Sequence, residues 1–241
     1  MAPNNKDVDK AMAKLDSSNL KEVKDWEKLW NNGIFPWHKE DVHPKLERYL
    51  ENMIEATGKE SKSEIRFFVP LCGKSTDLMF LKSQGFQVLG CECAEKAILD
   101  FFNENSLEFS KTKVNDEVTR FDSIDGQLSM IQGDYFKLTP ELLGGKVDCV
   151  WDRGSLVAID VAKRPDYAKV MMSLLNDNFA YLIASLEREV EPENPMPHSA
   201  SLDDIEGMLG EKLAVNLIDQ KVLENKTKDN TFLITPKKIE G

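Results

Sequence analysis

The residues best placed to do chemistry stand at the ends of apolar runs. Phe67-Phe68-Val69 reads as a buried strand, and Pro70-Leu71-Cys72-Gly73-Lys74 follows it as a loop. In an open α/β sheet, ligands bind outside the carboxyl ends of the strands, and a glycine there lets the backbone approach a ligand closely. One glycine is too few for the Gly-rich turn that holds a dinucleotide pyrophosphate. Gly73-Lys74-Ser75 also lacks the upstream glycine of a phosphate-binding loop. The next run, Val88-Leu89-Gly90-Cys91, ends in Glu92, 20 residues after Cys72. A carboxylate so placed can accept hydrogen bonds from ribose hydroxyls.

Two further strand ends continue the series. Ile131-Gln132-Gly133 leads into Asp134-Tyr135, an acid beside a ring, suited to an adenine amino group and an adenine face. Val147–Trp151 leads into Asp152-Arg153, two charges where an active-site loop belongs. Each feature has a plain structural reading as well: a strand-to-helix turn, a solvated acid, a Gly-Asp turn, a mutual Asp152–Arg153 ion pair. Together and in this order they trace a path from a methionine end to ribose, adenine and substrate, which is the cofactor path of a methyltransferase.

Other chemistries find less support. The histidines are His38, His43 and His198, and no three residues have metal-ligand spacing. His38 could act as a base, though an ordinary hydrogen-bonded role is the plainer reading, and His43 before Pro44 reads as the start of a helix. Cys72, Cys91, Cys93 and Cys149 sit in or beside strand-like runs, and the C-x-C pair fits neither a zinc knuckle nor a redox motif. They read as reduced thiols of a cytoplasmic protein. No nucleophile elbow is present.

The formal net charge of −11 disfavours nucleic acid and anionic membranes as partners. No apolar run approaches the roughly 18 residues of a membrane span. The length of 241 residues suits one α/β domain. Residues 1–18 read as a flexible polar tail, and residues 19–241 as the domain. From Asn19, a candidate N-cap with Glu22 at capping-box distance, Leu20, Val23, Trp26, Leu29 and Trp30 share one helical face up to Asn32-Gly33. A second helix is expected from Pro44 to about Ala56, so that residues 19–57 would form a helical lid.

Beyond a polar linker, strands at Ile65–Val69, Gln87–Cys91, Leu128–Ile131, Val147–Trp151 and Phe179–Ser185 alternate with helices at Lys74–Gln84, Ala94–Asn103 and Pro165–Leu175. This alternation predicts an α/β fold: one doubly wound, mostly parallel sheet with helices on both faces. Leu213–Leu217 and Thr231–Ile234 read as an antiparallel pair at its edge. Leu107–Gln127 reads as an inserted hairpin turning at Asp125-Gly126.

Four segments resemble the thiopurine S-methyltransferase family: Asp25 to His38 (DWEKLWNNG…WH), Phe67 to Lys74 (FFVPLCGK), Val88 to Glu92 (VLGCE) and Trp151 to Ile159 (WDRGSLVAI). The resemblance implies a Rossmann-like fold and S-adenosyl-L-methionine as methyl donor, released as S-adenosyl-L-homocysteine. It implies that Trp26 and Trp30 cover the cofactor, that Leu71 and Gly73 underlie its methionine portion, and that Glu92 binds its ribose. Asp134 and Tyr135 would form the adenine pocket. Arg153 would line the active site at the meeting of cofactor and substrate, with Asp152 beside it as a second catalytic candidate. Trp37 would face the substrate ring, with His38 beside it. The expected substrate is a small aromatic or heterocyclic thiol, methylated by a monomer. The alternatives are a small thiol, halide or selenium/tellurium nucleophile on the same scaffold, or cofactor binding without turnover. Vertebrate members carry an aromatic, proline-rich loop after the fifth strand; here Pro192–Ser199 is proline-rich without an aromatic residue.

Overall fold

The structure is a computed structural model that describes residues 20, 22–190 and 196–237. The expected tail at 1–18, the Asn19 cap and residues 192–195 of the proline-rich segment lie outside the described residues. Helix α1 spans Val23–Asn31 and α2 spans Pro44–Thr57. There follow β1 (Arg66–Val69), α3 (Thr76–Ser83), β2 (Gln87–Glu92), α4 (Glu95–Glu104), β3 (Phe109–Lys113) and β4 (Thr119–Ser123). The chain continues through β5 (Leu128–Gln132), β6 (Val147–Arg153), α5 (Arg164–Leu174), β7 (Leu175–Glu187), α6 (Leu202–Leu209), β8 (Leu213–Val222) and β9 (Lys228–Pro236).

The nine strands among the described residues form one sheet in the order β3-β4-β5-β2-β1-β6-β7-β9-β8. The central five, β5-β2-β1-β6-β7, are parallel. They are the five apolar runs read from the sequence, and strands buried on both faces are expected to be uniformly apolar. One face carries Leu46, Leu50 and Met53 of α2, Leu78 and Leu81 of α3, and Ile98, Phe101 and Phe102 of α4. The other carries Tyr167, Met171 and Leu174 of α5 and Ile205 of α6. The strand order reverses at β1, with β2 on one side and β6 on the other, which makes the switch-point crevice at their carboxyl ends.

Three expectations change. Helix α1 starts at Val23, capped by Glu22, whose side chain accepts from the backbone of Asp25 while Asp25 reaches back to the Glu22 N–H at 3.1 Å. Helix α2 belongs to the layer covering the sheet, because its apolar stripe is buried in the main core; residues 44–57 are thus not set apart from the fold as the expected lid would be. The insertion forms two hairpins. Strand β3 pairs antiparallel with β4 around Val114–Val118, and Asp125-Gly126 turns β4 antiparallel onto β5. Strands β9 and β8 extend the opposite edge antiparallel, as expected. Among the described residues, no helix is long and apolar enough to cross a membrane.

Candidate active site

The loop after β1 turns sharply, with Leu71 at φ +44° and Gly73 at φ +53°. A non-glycine residue in the left-handed region is sparsely populated and is held there by its surroundings. Two ties hold this loop to the end of β2. The Cys72 N–H donates to the Cys91 carbonyl at 2.9 Å, and the Gly73 N–H donates to Glu92 Oε2 at 3.0 Å. Glu92 Oε1 accepts from the Ala94 N–H at 2.8 Å and from the Cys93 thiol at 3.2 Å. Burial pushes the Glu92 carboxyl above its usual range, and the N–H donors of Ala94 and Gly73 and the Cys93 thiol work against that rise. The structure thus brings the expected methionine loop and ribose acid together. A carboxylate oxygen accepts two hydrogen bonds, so Oε2, with one donor here, keeps capacity for a hydroxyl.

A cavity of about 270 Å³ lies next along the sheet, lined by Val23 and Glu27 of α1, by Cys93, and by Gly133, Asp134 and Lys137 beyond β5. Asp134 caps the short turn Tyr135–Lys137, its Oδ1 accepting from the Phe136 N–H at 3.0 Å. It borders the cavity. Tyr135 does not. Its ring is 2% exposed and stacks on Tyr167 with centroids 4.5 Å apart, and its hydroxyl donates to the Tyr167 carbonyl at 2.9 Å. A tyrosine whose hydroxyl finds a buried acceptor is at home in a core, so Tyr135 faces the core and not the expected adenine pocket.

Helix α1 and the loop after it form a small apolar cluster of their own, in which buried Trp30 packs on Ala94 and Ala97 with Phe35 and Trp37. Trp30 stacks on Phe35 at 4.7 Å, and Trp26 meets Trp37 edge-on at 5.5 Å. Lys74 stands over the Phe35 ring at 5.1 Å. His38 lies edge-on to Phe35, half-buried, and burial followed by the Lys74 charge lowers its pKa. The tryptophans therefore belong to neither main core. Trp30 packs on the start of α4 and against Gly73 of the loop after β1, with Trp26 beyond it on Trp37.

Arg153 and Asp152 diverge. Consecutive strand residues face opposite sides of a sheet. Asp152 is 1% exposed; its Oδ2 accepts from the hydroxyls of Tyr167 and Tyr181, each at 2.7 Å, and its Oδ1 from the Leu156 N–H at 3.0 Å. Burial raises its pKa. This corrects both the expected catalytic placement of Asp152 and the alternative of an Asp152–Arg153 ion pair. Arg153 Nη1 instead donates to the Trp37 carbonyl at 3.0 Å. Burial lowers its pKa, opposed by the charge of Asp77. Asp77 carries no mark in the sequence, where it looks like any acid in the first turn of a helix. Yet it is 3% exposed, and its two oxygens accept from the His43 N–H and the Trp151 indole N–H, each at 2.8 Å.

The switch-point crevice, its loop and its strand-end acids lie where an open, Rossmann-like α/β sheet takes its ligand. Solved structures support that fold. A Burkholderia thailandensis 1,6-didemethyltoxoflavin-N1-methyltransferase covers 90% of this chain and 87% of its own at a TM-score of 0.59 and 13% identity. The magnesium protoporphyrin IX methyltransferase of Synechocystis covers 83% and 90% at a TM-score of 0.57 and 11% identity. The chain belongs to the thiopurine S-methyltransferase family, which matches residues 21–237. A Danio rerio protein named "Probable thiopurine S-methyltransferase" is 34% identical over 82% of this chain and 83% of its own. A thiopurine S-methyltransferase of Shewanella sp. (strain ANA-3) is 32% identical over 80% and 84%. The chain is thus an enzyme, with S-adenosylmethionine as its methyl donor.

Proposed function

We propose that this enzyme methylates the sulfur of small aromatic or heterocyclic thiols. The observation that carries the reading is Arg153: a largely buried guanidinium at the carboxyl end of β6, held to the carbonyl of an aromatic loop. A cation bonded to the Trp37 carbonyl suits a flat, anionic ring. S-adenosylmethionine supplies a methyl group on a sulfonium; the substrate sulfur forms the new S–C bond as the old one breaks, and the electron pair leaves on the neutral thioether.

The chain's own residues then have orienting roles. Glu92 would accept from the ribose through Oε2. Asp134 and the cavity beside it would take the adenine, Leu71 and Gly73 would underlie the methionine portion, and Trp26 and Trp30 would close over it and exclude water. Arg153 would hold the anionic sulfur by charge-assisted hydrogen bonding, with Trp37 and His38 walling the ring. Asp152 and Tyr135 support this arrangement from the core side. The four free thiols, three of them buried, suit a reducing cytoplasm, and we read the working form as a monomer.

The test is transfer of radiolabelled methyl to aryl thiols, small alkyl thiols, halides and selenium compounds. Aryl and heteroaryl thiols should lead the panel. Transfer confined to halides or chalcogen ions would replace this reading with a small-nucleophile one.

A further inference from the structure

Arg153 already donates one guanidinium N–H to the Trp37 carbonyl, so part of its planar fork is occupied and a second donor would help to fix the direction of a bound anion. A second donor stands near it. His43 ends the loop that brings Trp37 to Arg153, and it caps α2, with Nδ1 accepting from the Lys45 N–H at 3.3 Å. A neutral imidazole that accepts at Nδ1 carries its proton on Nε2. No hydrogen bond from that Nε2–H to a described residue is present, and the ring lies tilted against Trp151 at 5.3 Å. The charged groups around it are Arg153 from β6, Asp77 from α3, Lys45 from its own helix and Asp229 from β9. Burial, then Arg153, hold His43 below the usual histidine range, so it is neutral near pH 7.

Asp77 joins the two donors. One of its oxygens accepts from the His43 N–H and the other from the Trp151 indole. Trp151 and Arg153 are two residues apart on β6 and so face the same side of the sheet. A nearly buried carboxylate is expensive to desolvate unless it is well bonded. Here one carboxylate spans three elements, the loop carrying His43, helix α3 and the strand carrying Arg153, and its charge also acts on Arg153.

We propose that the His43 Nε2–H and the Arg153 guanidinium together hold the anionic sulfur of the substrate, and that Asp77 is the positioning residue that sets one against the other. This rests on the thiol reading above and gives it a specificity. An Nε2–H donor cannot take a proton from a thiol, so the substrate must arrive ionised. Acidic heteroaryl and nitroaryl thiols are then favoured over alkyl thiols, which are protonated at neutral pH in the way a free cysteine is.

The experiment uses the full chain saturated with S-adenosylhomocysteine, so that nothing turns over, and 4-nitrothiophenol as the probe. The thiolate absorbance gives both the affinity and the pKa of the bound thiol. His43→Asn keeps a good helix cap but falls short of Nε2. It should weaken thiolate binding about five- to twentyfold, a loss of roughly 1–2 kcal/mol, and raise the bound pKa, with homocysteine-cofactor affinity and Tm unchanged. His43→Gln restores an amide N–H near Nε2 and loses the cap; it should bind thiolate almost as wild type despite a lower Tm. Asp77→Asn should raise the bound pKa as His43→Asn does. Wild-type thiolate binding in His43→Asn, or equal losses in His43→Asn and His43→Gln, overturns the two-donor proposal. A lower Tm with an unchanged bound pKa in Asp77→Asn overturns its positioning role. No thiol binding by the wild type overturns the thiol reading and this proposal with it.

Discussion

A Cβ atom on Gly73 would fall 2.8 Å from Cζ2 of Trp30. The loop after β1 and the helix over it are therefore fitted to one another at a single glycine, which also sits at φ +53°. Gly73→Ala should strain the loop by roughly 1–3 kcal/mol and push Trp30 off its seat. The expected result is a lower Tm, a changed tryptophan fluorescence spectrum and weaker S-adenosylhomocysteine binding. A variant with wild-type cofactor affinity would separate the lid from the cofactor site.

Glu92 makes a second prediction about the cofactor. At about 100 times its dissociation constant, S-adenosylhomocysteine should add roughly 2.7 kcal/mol of stability to the wild type. Glu92→Ala leaves the N–H groups of Gly73 and Ala94 without their acceptor, at roughly 1–3 kcal/mol for each buried donor. Both the basal Tm and the ligand-induced shift should fall. A reduced Tm with a full ligand shift would make Glu92 a structural tie and place the ribose acid elsewhere.

The central sheet could be read from the sequence because its five parallel strands are mostly apolar, broken by polar residues such as Arg66, Ser129 and Asp148, and Glu92 and Arg153 could be placed because they end those runs. Strands β3 and β8 could not be bounded so well. Phe109–Lys113 is mostly exposed, and Leu213–Val222 has no buried residue, so neither edge strand carries a strong hydrophobic period. Tyr135 was misassigned because a strand-end aromatic can turn toward ligand or core, and only Tyr167, 32 residues away, decides which. Asp77 was invisible for a similar reason: its partners, His43 and Trp151, lie 34 and 74 residues away.

The separate cluster of Trp30, Phe35 and Trp37 predicts a separable lid. With S-adenosylhomocysteine bound, hydrogen exchange should slow across Val23–His38 and change little in Pro44–Thr57, whose apolar stripe is in the main core. Equal protection of both helices, with and without ligand, would return Trp26 and Trp30 to a purely structural role.

Two half-buried histidines set a pH dependence. Burial lowers the folded-state pKa of both His38 and His43 below the ordinary histidine value. The folded state therefore binds fewer protons than the unfolded one as pH falls. Their contribution is fully present above about 6.5 and is lost as pH drops through the folded values. Urea midpoints should decline from pH 7.5 to 5, and the decline should be shallower in a His38→Asn, His43→Asn double variant. An identical slope in that variant would assign the acid sensitivity to other groups.

Asp152 and Arg153 are neighbours in sequence with opposite environments, so their variants should fail differently. Asp152 lies among Tyr167, Tyr181 and the Leu156 N–H. Asp152→Asn turns an amide NH2 either against the Leu156 N–H or toward the two tyrosine hydroxyls, and should cost about 1–3 kcal/mol of stability. That corresponds to a Tm lower by about 2–4 °C per kcal/mol for a chain of this size. Turnover per folded molecule should persist. Arg153 contacts the loop carbonyl of Trp37 from the other face. Arg153→Lys keeps the charge but loses the planar fork; it should raise KM for an aryl thiol severalfold while leaving cofactor affinity and Tm near wild type, and Arg153→Ala should raise it further. Tm and kinetics measured on the same samples distinguish the two residues. If Arg153→Ala lowered Tm and left KM unchanged, its guanidinium would be a strut for the Trp37 loop, and the anionic substrate would have to find its cation elsewhere.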